Sequence, residues 1–331
     1  MPANPEPFTM KDQVTSTLTS AFEKDVYTGL TSYPKYLLSK YIYDKKGDRL
    51  FQQIMDLPEY YLTECEFSIL KEHIREITKS FNSPNGFDLI ELGAGDGKKT
   101  KLLLRHLVDQ NVDFNYLPVD ISLNVLEELE ASLKQEIPNV PVKIRQGTYF
   151  ETLEKLAEFN IRKKVILVLG SNIGNLLHKD AIGFLRNIRE AMTEEDMLFM
   201  GFDQKKNPQI ILDAYNDQTG ITAAFNKNIL ARINSELHGN FNLDSFLHWE
   251  TYDPETGTAK SFLVSQKEQV VTIEGIGLKV HFNAWETIHT EISQKYDNSV
   301  VEWLAEEAGL VVTRQFEDDK GYYRNYIFRR K

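Results

Sequence analysis

From residue 87 to residue 203 the chain alternates between short apolar runs and stretches whose apolar residues recur every three or four positions. The apolar runs predict buried strands at 87–93, 115–121, 142–147, 165–171 and 197–203. The periodic stretches predict helices at 98–108, 123–135, 151–158 and 179–193. Alternating strands and helices with short connections are typical of a doubly wound parallel sheet, because right-handed crossovers leave few other topologies.

The flanking regions have different patterns. Residues 13–80 are mainly helical in pattern and carry two aromatic-rich stretches. Residues 205–295 interrupt the alternation with a helical section, 210–237, and a strand-like section of alternating polarity, 249–282. We therefore expect the interruption to combine with the N-terminal helical segment in a second, smaller domain.

The end of the chain returns to the pattern of the sheet. Residues 299–310 predict a helix closed by Gly309, and 311–316 with 322–329 predict an antiparallel hairpin. The predicted fold class is α/β, with a doubly wound seven-stranded sheet and a smaller α+β domain. The expected divisions are a loose tail at 1–16, the smaller domain at 17–64 plus 205–295, and the sheet domain at 65–204 plus 296–331.

Composition narrows the classes of function. There are 38 basic and 49 acidic residues, for a net charge of −11, and no basic cluster indicates a nucleic-acid surface. The histidines are scattered and Cys65 is the only cysteine, so we expect no metal site. The N-terminus lacks the pattern of a signal peptide, and no apolar run approaches the ~18 residues of a membrane span. We expect a cytoplasmic monomer without membrane or nucleic-acid partners.

The most informative segment is Phe87–Gly97, where an apolar strand pattern leads into Gly93, Gly95 and Gly97. Such a turn lets a ligand lie against bare backbone at a helix N-terminus. In the dinucleotide fingerprint the third glycine comes one residue later. Glu91-x-Gly-x-Gly is the form usual in S-adenosylmethionine-dependent methyltransferases, and an ordinary tight turn in another α/β enzyme is the alternative.

Polar and aromatic residues follow the next strands at the sheet edge where nucleoside cofactors lie. Asp120, after the second strand, could accept hydrogen bonds from both ribose hydroxyls, or it could cap the following helix. Tyr149, after the third strand, could contact an adenine ring or belong to the core. The segment Gly170–Asn175 contains two glycines and two asparagines, which fits a ligand-binding loop or an ordinary turn.

More specific motifs are spread over the chain from about Tyr43 to the C-terminus. They are Tyr43-Asp-x-x-Gly-x-x-Leu-Phe51, Leu57-Pro-Glu-Tyr-Tyr61, Glu91-Leu-Gly-Ala-Gly95 with Lys99-Thr100, Gly170-Ser-x-Ile-Gly-Asn175, Ala214-Tyr215, Thr222-Ala-Ala-Phe-Asn226 and Glu291-Ile-Ser293. In these motifs the chain resembles the histidine-specific, S-adenosylmethionine-dependent Nα-methyltransferases of ergothioneine biosynthesis.

The resemblance implies a Rossmann-like class I methyltransferase whose cofactor is S-adenosyl-L-methionine. The sheet domain would bind the cofactor and the smaller domain the substrate. The cofactor-binding residues implied by the match are Tyr43, Gly93, Gly95, Lys99, Asp120, Thr148 and Tyr149. Thr148 is a departure, because the family commonly has there an acidic residue that contacts the adenine amino group.

The substrate implied by the resemblance is L-histidine, methylated on its α-amine up to hercynine. Its binding residues would be Tyr60, Gly170, Asn175, Tyr215, Phe262, Glu291 and Ser293. Asn175 and Tyr215 would hold the carboxylate, and Glu291 with Ser293 the imidazole. A carboxylate beside the ring favours the protonated ring. Tyr43 is the candidate catalytic contact, through a hydrogen bond to the reacting nitrogen.

Phe262 leaves the identity of the side chain open. It aligns where histidine enzymes often have methionine beside the substrate ring, and a shift of one residue would place Leu263 there instead. The same chemistry on another, aromatic amino acid is therefore the alternative function. A catalytically silent, cofactor-binding protein is a further alternative, and Tyr60, Asn175 and Tyr215 argue against it.

Overall fold

The structure, a computed structural model, describes residues 18–147 and 162–331. The chain divides into two compact units, each made of two separate segments. The smaller unit is Met1–Tyr60 with Asn207–Ile292, and the sheet unit is Tyr61–Lys206 with Ser293–Lys331. The molecule that each unit binds stays a prediction.

The strands described, in chain order, are β1 (Lys35–Tyr36), β2 (Phe87–Leu92), β3 (Phe114–Asp120), β4 (Arg145–Gln146), β5 (Lys163–Val168), β6 (Met197–Asp203), β7 (Phe246–Asp253), β8 (Thr258–Ser265), β9 (Gln269–Ile273), β10 (Leu278–Phe282), β11 (Thr287–Gln294), β12 (Leu310–Glu317) and β13 (Tyr323–Arg330). The α-helices described are α1 (Ala21–Leu30), α2 (Lys45–Met55), α3 (Tyr61–Glu72), α4 (Ile74–Phe81), α5 (Thr100–Asp109), α6 (Leu123–Glu136), α7 (His178–Ala191), α8 (Pro208–Tyr215), α9 (Ile221–Glu236) and α10 (Asn298–Ala308).

The sheet unit contains a seven-stranded sheet in the order β12-β13-β6-β5-β2-β3-β4. Strands β2 to β6 are parallel, and β13 lies antiparallel between β6 and β12. Apolar side chains from the central strands pack in one core with α7 and α10. The predicted α/β class and the doubly wound seven-stranded sheet are confirmed.

One predicted strand is shorter in the structure, and one predicted helix lies outside the part of the chain that is described. The strand predicted at 142–147 is reduced to Arg145–Gln146 and an isolated bridge at Val142, because this edge segment has exposed charged residues instead of a face to bury. The helix predicted at 151–158 lies outside the described residues. The predicted C-terminal helix is confirmed as α10, and Gly309 follows it with φ +74°.

The smaller unit contains a four-stranded sheet in the order β1-β11-β8-β7, together with the antiparallel pair β9 and β10. Helix α9 contributes Phe225, Ile229 and Ile233 to the core of this unit, which also contains Phe246 and Leu263 from the sheet. Alternate residues of β7 are buried and exposed, as expected for a sheet with one face against a core.

Candidate functional site

The glycine loop begins where β2 ends. Gly93, Gly95 and Gly97 have φ values of +77°, +53° and +66°, which L side chains rarely adopt. Within the described part of the chain, a Cβ atom added to Gly95 would meet no heavy atom within 4 Å, so these residues leave open space beside the backbone there. Helix α5 begins three residues after Gly97, at Thr100. The predicted strand–turn–helix is confirmed, and its turn offers room and bare amides to a ligand.

Glu91 supports this loop from inside the sheet unit. Its carboxylate is buried and accepts hydrogen bonds from the hydroxyls of Thr100, on α5, and Tyr116, on β3. Burial raises the pKa of the Glu91 carboxyl to about 7, although both hydroxyls act in the other direction. Glu91 therefore joins β2, β3 and α5 beneath the turn.

Asp120 ends β3 and contacts the glycine loop directly. Its Oδ2 accepts a hydrogen bond from Gly95 N at 3.3 Å, and its Oδ1 accepts one from Ser122 N at 3.0 Å. The cap of α6 is supplied by Ser122, whose Oγ accepts from Val125 N. Helix capping therefore does not account for Asp120, which remains beside the turn as the ribose prediction requires.

Lys99 and Gly170, predicted in different motifs, lie together in the sheet unit. A Cβ atom on Gly170, where φ is +77°, would lie 3.5 Å from Lys99 Nζ. Both residues bind the same carboxylate, Glu66 of α3, which has no exposed surface. Glu66 Oε2 accepts from Lys99 Nζ and, at 2.7 Å, from Gly170 N, while Oε1 accepts from Asn325 Nδ2 at 2.9 Å.

Sequence reasoning missed Glu66. The available signal is its position in α3, among Cys65, Ile69 and Leu70, which are buried. A charged residue within the buried face of an amphipathic helix needs a partner, and that need indicates a polar contact inside the fold.

The loop after β5 has an unusual backbone. Ser171 follows Gly170 and has φ +57°, and its Oγ accepts a hydrogen bond from Asp203 N at 3.0 Å. A short 3₁₀ turn, Asn172–Asn175, comes next and leaves Asn175 exposed. Glycine adopts a positive φ readily, so the backbone strain of this loop lies at Ser171, a kind of strain that is often found at functional sites.

Ser293 belongs to a buried charged cluster in the sheet unit. Lys295 Nζ donates a hydrogen bond to Ser293 Oγ at 2.7 Å and lies 2.7 Å from Asp203 Oδ2. Asp203 also binds the ammonium of Lys206 and the hydroxyl of Tyr61. Burial alone would raise the pKa of Asp203, but the ammonium groups of Lys295 and Lys206 lower it below its usual value.

Three predicted tyrosines of the smaller unit belong to one chain of aromatic rings. The ring of Tyr43 lies 5.7 Å from Phe51 and 5.3 Å from Phe225, centroid to centroid. Phe51 also contacts Tyr60, and Tyr60 contacts Tyr215, each at 6.3 Å. The structure therefore links Tyr43, Tyr60 and Tyr215 through a continuous series of ring contacts.

The position of Tyr43 is fixed by its neighbours in the motif. Asp44 caps α2, and its Oδ1 accepts from Gly47 N at 2.7 Å and from Asn228 Nδ2 at 2.8 Å. A Cβ atom on Gly47 would lie 1.9 Å from the carbonyl oxygen of Ile42, so only glycine fits there. The spacing Tyr43-Asp-x-x-Gly thus has a local physical reason.

Phe262 and Leu263 lie on opposite faces of the sheet in the smaller unit. Leu263 is buried in the core, whereas the ring of Phe262 lies 5.4 Å from that of His289. His289 and Glu291 are two residues apart on β11, so their side chains leave the same face. Phe262 is therefore the residue of this pair that shares a face with Glu291.

Three further predictions concern the adenine contacts, metal sites and membrane spans. Thr148 and Tyr149 lie outside the described residues. Among the residues that the structure does describe, no group of three histidine, cysteine or carboxylate side chains could hold a metal ion. None of the helices in residues 18–147 and 162–331 is long and apolar enough to cross a membrane.

The chain is similar in sequence to several known methyltransferases. A family model described as "Histidine-specific methyltransferase, SAM-dependent" matches residues 22–330. A histidine N-alpha-methyltransferase of Mycolicibacterium smegmatis is 35% identical over 302 residues, which cover 91% of this chain and 92% of that protein. Ergothioneine biosynthesis protein 1 of Schizosaccharomyces pombe is 30% identical over 88% of this chain and 38% of its own length. A more distant relative is the L-tryptophan methyltransferase trpM of Psilocybe serbica, 26% identical over 90% of each chain.

Proposed function

The chain belongs to the family of SAM-dependent, histidine-specific methyltransferases, and we propose on that premise that it methylates the α-amine of L-histidine, up to the trimethylated product. The observation that carries the proposal is the convergence of Lys99, Gly170 and the glycine loop at the carboxyl ends of β2 and β5. Ligands of doubly wound sheets bind at these ends.

The residues of the glycine loop fit S-adenosylmethionine. The open space beside Gly95 admits a ligand next to the backbone, and Asp120 offers a carboxylate at the same turn. Lys99 and Tyr43, with Thr148 and Tyr149, complete the proposed set. When bound, the cofactor supplies a methyl group activated on a positively charged sulfur.

The substrate contacts proposed for this chain follow the chemistry of histidine. Asn175 and Tyr215 can grip a carboxylate without adding a charge beside the sulfonium, since an amide and a phenol are neutral donors. Glu291 and Ser293 offer the imidazole a carboxylate and a hydroxyl. Phe262 would form part of the wall beside the ring. Gly170 and Tyr60 complete the proposed substrate set.

The work of the protein in this reaction is to orient the substrate. Holding an amine and a methyl group in near-attack geometry can contribute about 7–11 kcal/mol in favourable cases. Tyr43 would hold the nitrogen through a hydrogen bond while each round releases a proton to water. A strong buried base is unnecessary at mildly alkaline pH, because part of the substrate α-amine is then already unprotonated.

The direct test is mass spectrometry of the purified protein with S-adenosylmethionine and each of the twenty amino acids. We expect mono-, di- and trimethylated histidine. Preferential methylation of tryptophan or phenylalanine would favour the second candidate, an enzyme for another aromatic amino acid, which Phe262 on the face of Glu291 motivates. We further propose that the protein is a cytoplasmic monomer without nucleic-acid partners. Size-exclusion chromatography with light scattering tests its oligomeric state.

A further inference from the structure

We propose that Asn228 of α9 is a positioning residue for methyl transfer, because its side-chain amide binds the residues on both sides of Tyr43 and so holds the phenol at the reacting nitrogen. The inference rests on the proposed function, since it takes Tyr43 as the contact of that nitrogen. Asn228 is a positioning residue in this arrangement because it acts through Tyr43. All of the residues in the argument belong to the smaller unit.

The amide group of Asn228 binds the chain immediately before and after Tyr43. Its Nδ2 donates to the carbonyl oxygen of Ile42 at 3.0 Å and to Oδ1 of Asp44 at 2.8 Å. An amide nitrogen carries two hydrogens, so one side chain can make both bonds at once. Asn228 and Ile42 are buried, and a hydrogen bond inside a protein is electrostatically stronger than one in water. Tyr43 is therefore held from both sides by a single side chain.

The bond from Asn228 to Asp44 is assisted by charge. Burial acts to raise the pKa of the Asp44 carboxyl, but hydrogen bonds, chiefly from Gly47 N and Asn228, hold that pKa below its usual value. Asp44 is therefore ionised at neutral pH. A hydrogen bond to an ionised group is stronger than one between neutral groups, so this contact contributes more than an ordinary amide bond.

Asn228 is the middle one of three α9 residues that contact the segment around Tyr43. The ring of Phe225, three positions earlier, lies 5.3 Å from that of Tyr43, centroid to centroid. Arg232, four positions later, donates from Nη1 to the carbonyl oxygen of Tyr41 at 3.3 Å. Residues three and four positions apart are neighbours on one side of a helix. One face of α9 thus binds the backbone of this segment and packs against its ring.

The rate of the reaction depends on where the phenol lies. A misplacement of about 1 Å can lower a rate by about 100-fold, and Tyr43 is assigned to the atom that attacks the methyl group. The contacts proposed for the carboxylate and the imidazole of histidine come from other residues. We therefore expect the loss of Asn228 to lower kcat more than it raises the KM for histidine.

The experiment is a double-mutant cycle of Asn228→Ala and Tyr43→Phe, with kcat measured at saturating histidine and S-adenosylmethionine. Asn228→Ala should lower kcat about tenfold and change the KM for histidine less than about threefold. Tyr43→Phe, which removes only the hydroxyl, should lower kcat about tenfold or more. In the Tyr43→Phe protein, Asn228→Ala should change kcat less than about twofold, because the hydroxyl that it positions is gone.

Asn234→Ala is the matched control. Asn234 lies on the same helix, and its side chain also makes two hydrogen bonds, both at 2.8 Å to the backbone of Phe241. Its loss should lower stability but change kcat less than about twofold, with or without the hydroxyl of Tyr43. Asn228→Ser keeps one donor in place of two, and it replaces Asn228→Ala in the cycle if that variant does not fold.

Two kinds of result would overturn the inference. One is an equal loss of kcat when Asn228→Ala is added to wild type and to Tyr43→Phe, since a purely structural role does not depend on the hydroxyl. The other is a wild-type kcat in either single variant.

The proposed substrate is tested separately in the same assays. Tyr43 is assigned to the α-nitrogen, which every amino acid has, so the cycle is run with whichever amino acid wild type methylates. Methylation of another amino acid in place of histidine would refute the proposed substrate and still leave the cycle to decide the role of Asn228. If no amino acid is methylated, the proposed function and the inference both fail.

Discussion

Lys99 and Glu66 form an ion pair across 33 positions of sequence, and the carboxylate of that pair has no exposed surface. The same carboxylate accepts a hydrogen bond from the backbone of Gly170. The side chain of Glu66 therefore connects the segment that follows β2, through Lys99, to the segment that follows β5, through Gly170. Removing one member of a buried ion pair is costly, because the other charge is left without compensation.

We expect Glu66→Gln to lower the free energy of unfolding by about 2–4 kcal/mol and to weaken S-adenosylmethionine binding by about tenfold. Urea denaturation and calorimetric titration measure the two effects. Glu64→Gln is the matched control, since Glu64 is exposed on the same helix, and it should change stability by less than about 0.5 kcal/mol. Unchanged cofactor affinity in Glu66→Gln would show that the pair supports the fold only.

Asp120→Ala should weaken S-adenosylmethionine binding by roughly 1.5–3 kcal/mol, the range for a lost hydrogen bond to a charged group. Ser122→Ala separates this effect from helix capping. It removes the cap of α6 and should cost about 1 kcal/mol of stability while the cofactor affinity stays the same. Calorimetry on both variants decides the assignment, and equal affinities for wild type and Asp120→Ala would place Asp120 outside the cofactor site.

Histamine, which lacks the carboxylate, should be a very poor substrate, because the donors assigned to the carboxylate would be left unpaired. Tyr215→Phe should lower kcat/KM for histidine by about tenfold and leave cofactor affinity unchanged, since the contact proposed for Tyr215 is with the substrate carboxylate. Initial rates with both amines test these expectations. Comparable rates for histamine and histidine would mean that Asn175 and Tyr215 do not bind the carboxylate.

Glu291→Ala should cost histidine at least about 2 kcal/mol in kcat/KM and should relax discrimination against tryptophan and phenylalanine. A ligand without a suitable ring N–H would leave the carboxylate of Glu291 without a hydrogen bond, so wild type should bind it weakly. The alanine variant has no carboxylate to leave unpaired, so it should discriminate less. Competition assays with histidine and tryptophan measure the effect. If both proteins prefer histidine equally, specificity must be explained by Phe262, which shares a sheet face with Glu291.

Glu91 gives the stability of the sheet unit a pH dependence. Burial raises the pKa of its carboxyl from 4.5 to about 7, so between these values the folded state binds more protons than the unfolded state. Stability therefore falls as the pH rises through this window. The amide of the Glu91→Gln variant cannot titrate. The free energy of unfolding of this variant should therefore rise by about 2–3 kcal/mol relative to that of wild type between pH 4.5 and pH 8.

Denaturation of both proteins at several pH values measures this difference. Glu127 is exposed on α6, so the free energy of unfolding of Glu127→Gln should change with pH in the same way as that of wild type. A wild-type protein that gains stability relative to Glu91→Gln as the pH rises would show that the buried carboxyl is charged in the fold.

The elements that sequence predicts best are those with a strong apolar pattern. Strands β2, β5 and β6 are almost entirely buried, so their sequences are nearly continuous apolar runs. β4 is different, because Arg145 and Gln146 are exposed at the edge and no burial pattern sets their limits. The glycine loop was predictable because its φ values require residues without a Cβ atom.

The buried charges of the site were less accessible to sequence reasoning. Glu66 and Lys295 have the sequence context of ordinary helix and strand residues, and their partners lie far away in the chain or across a strand end. An ion pair leaves no periodic pattern, since the long-range approach that creates it is set by tertiary packing. The motif residues Lys99 and Gly170 could be identified, but not the carboxylate that joins them.

The position of β13 in the sheet has a consequence for how the protein reaches its native state. β13 is hydrogen-bonded to β6, with Phe328 beside Leu198, and the whole second segment of the smaller unit lies between them in the chain. Until β13 docks, β6 presents an unpaired edge of apolar residues, which is the kind of surface that recruits other chains. A newly made molecule therefore stays vulnerable to aggregation until β13 has been synthesised and has docked on β6.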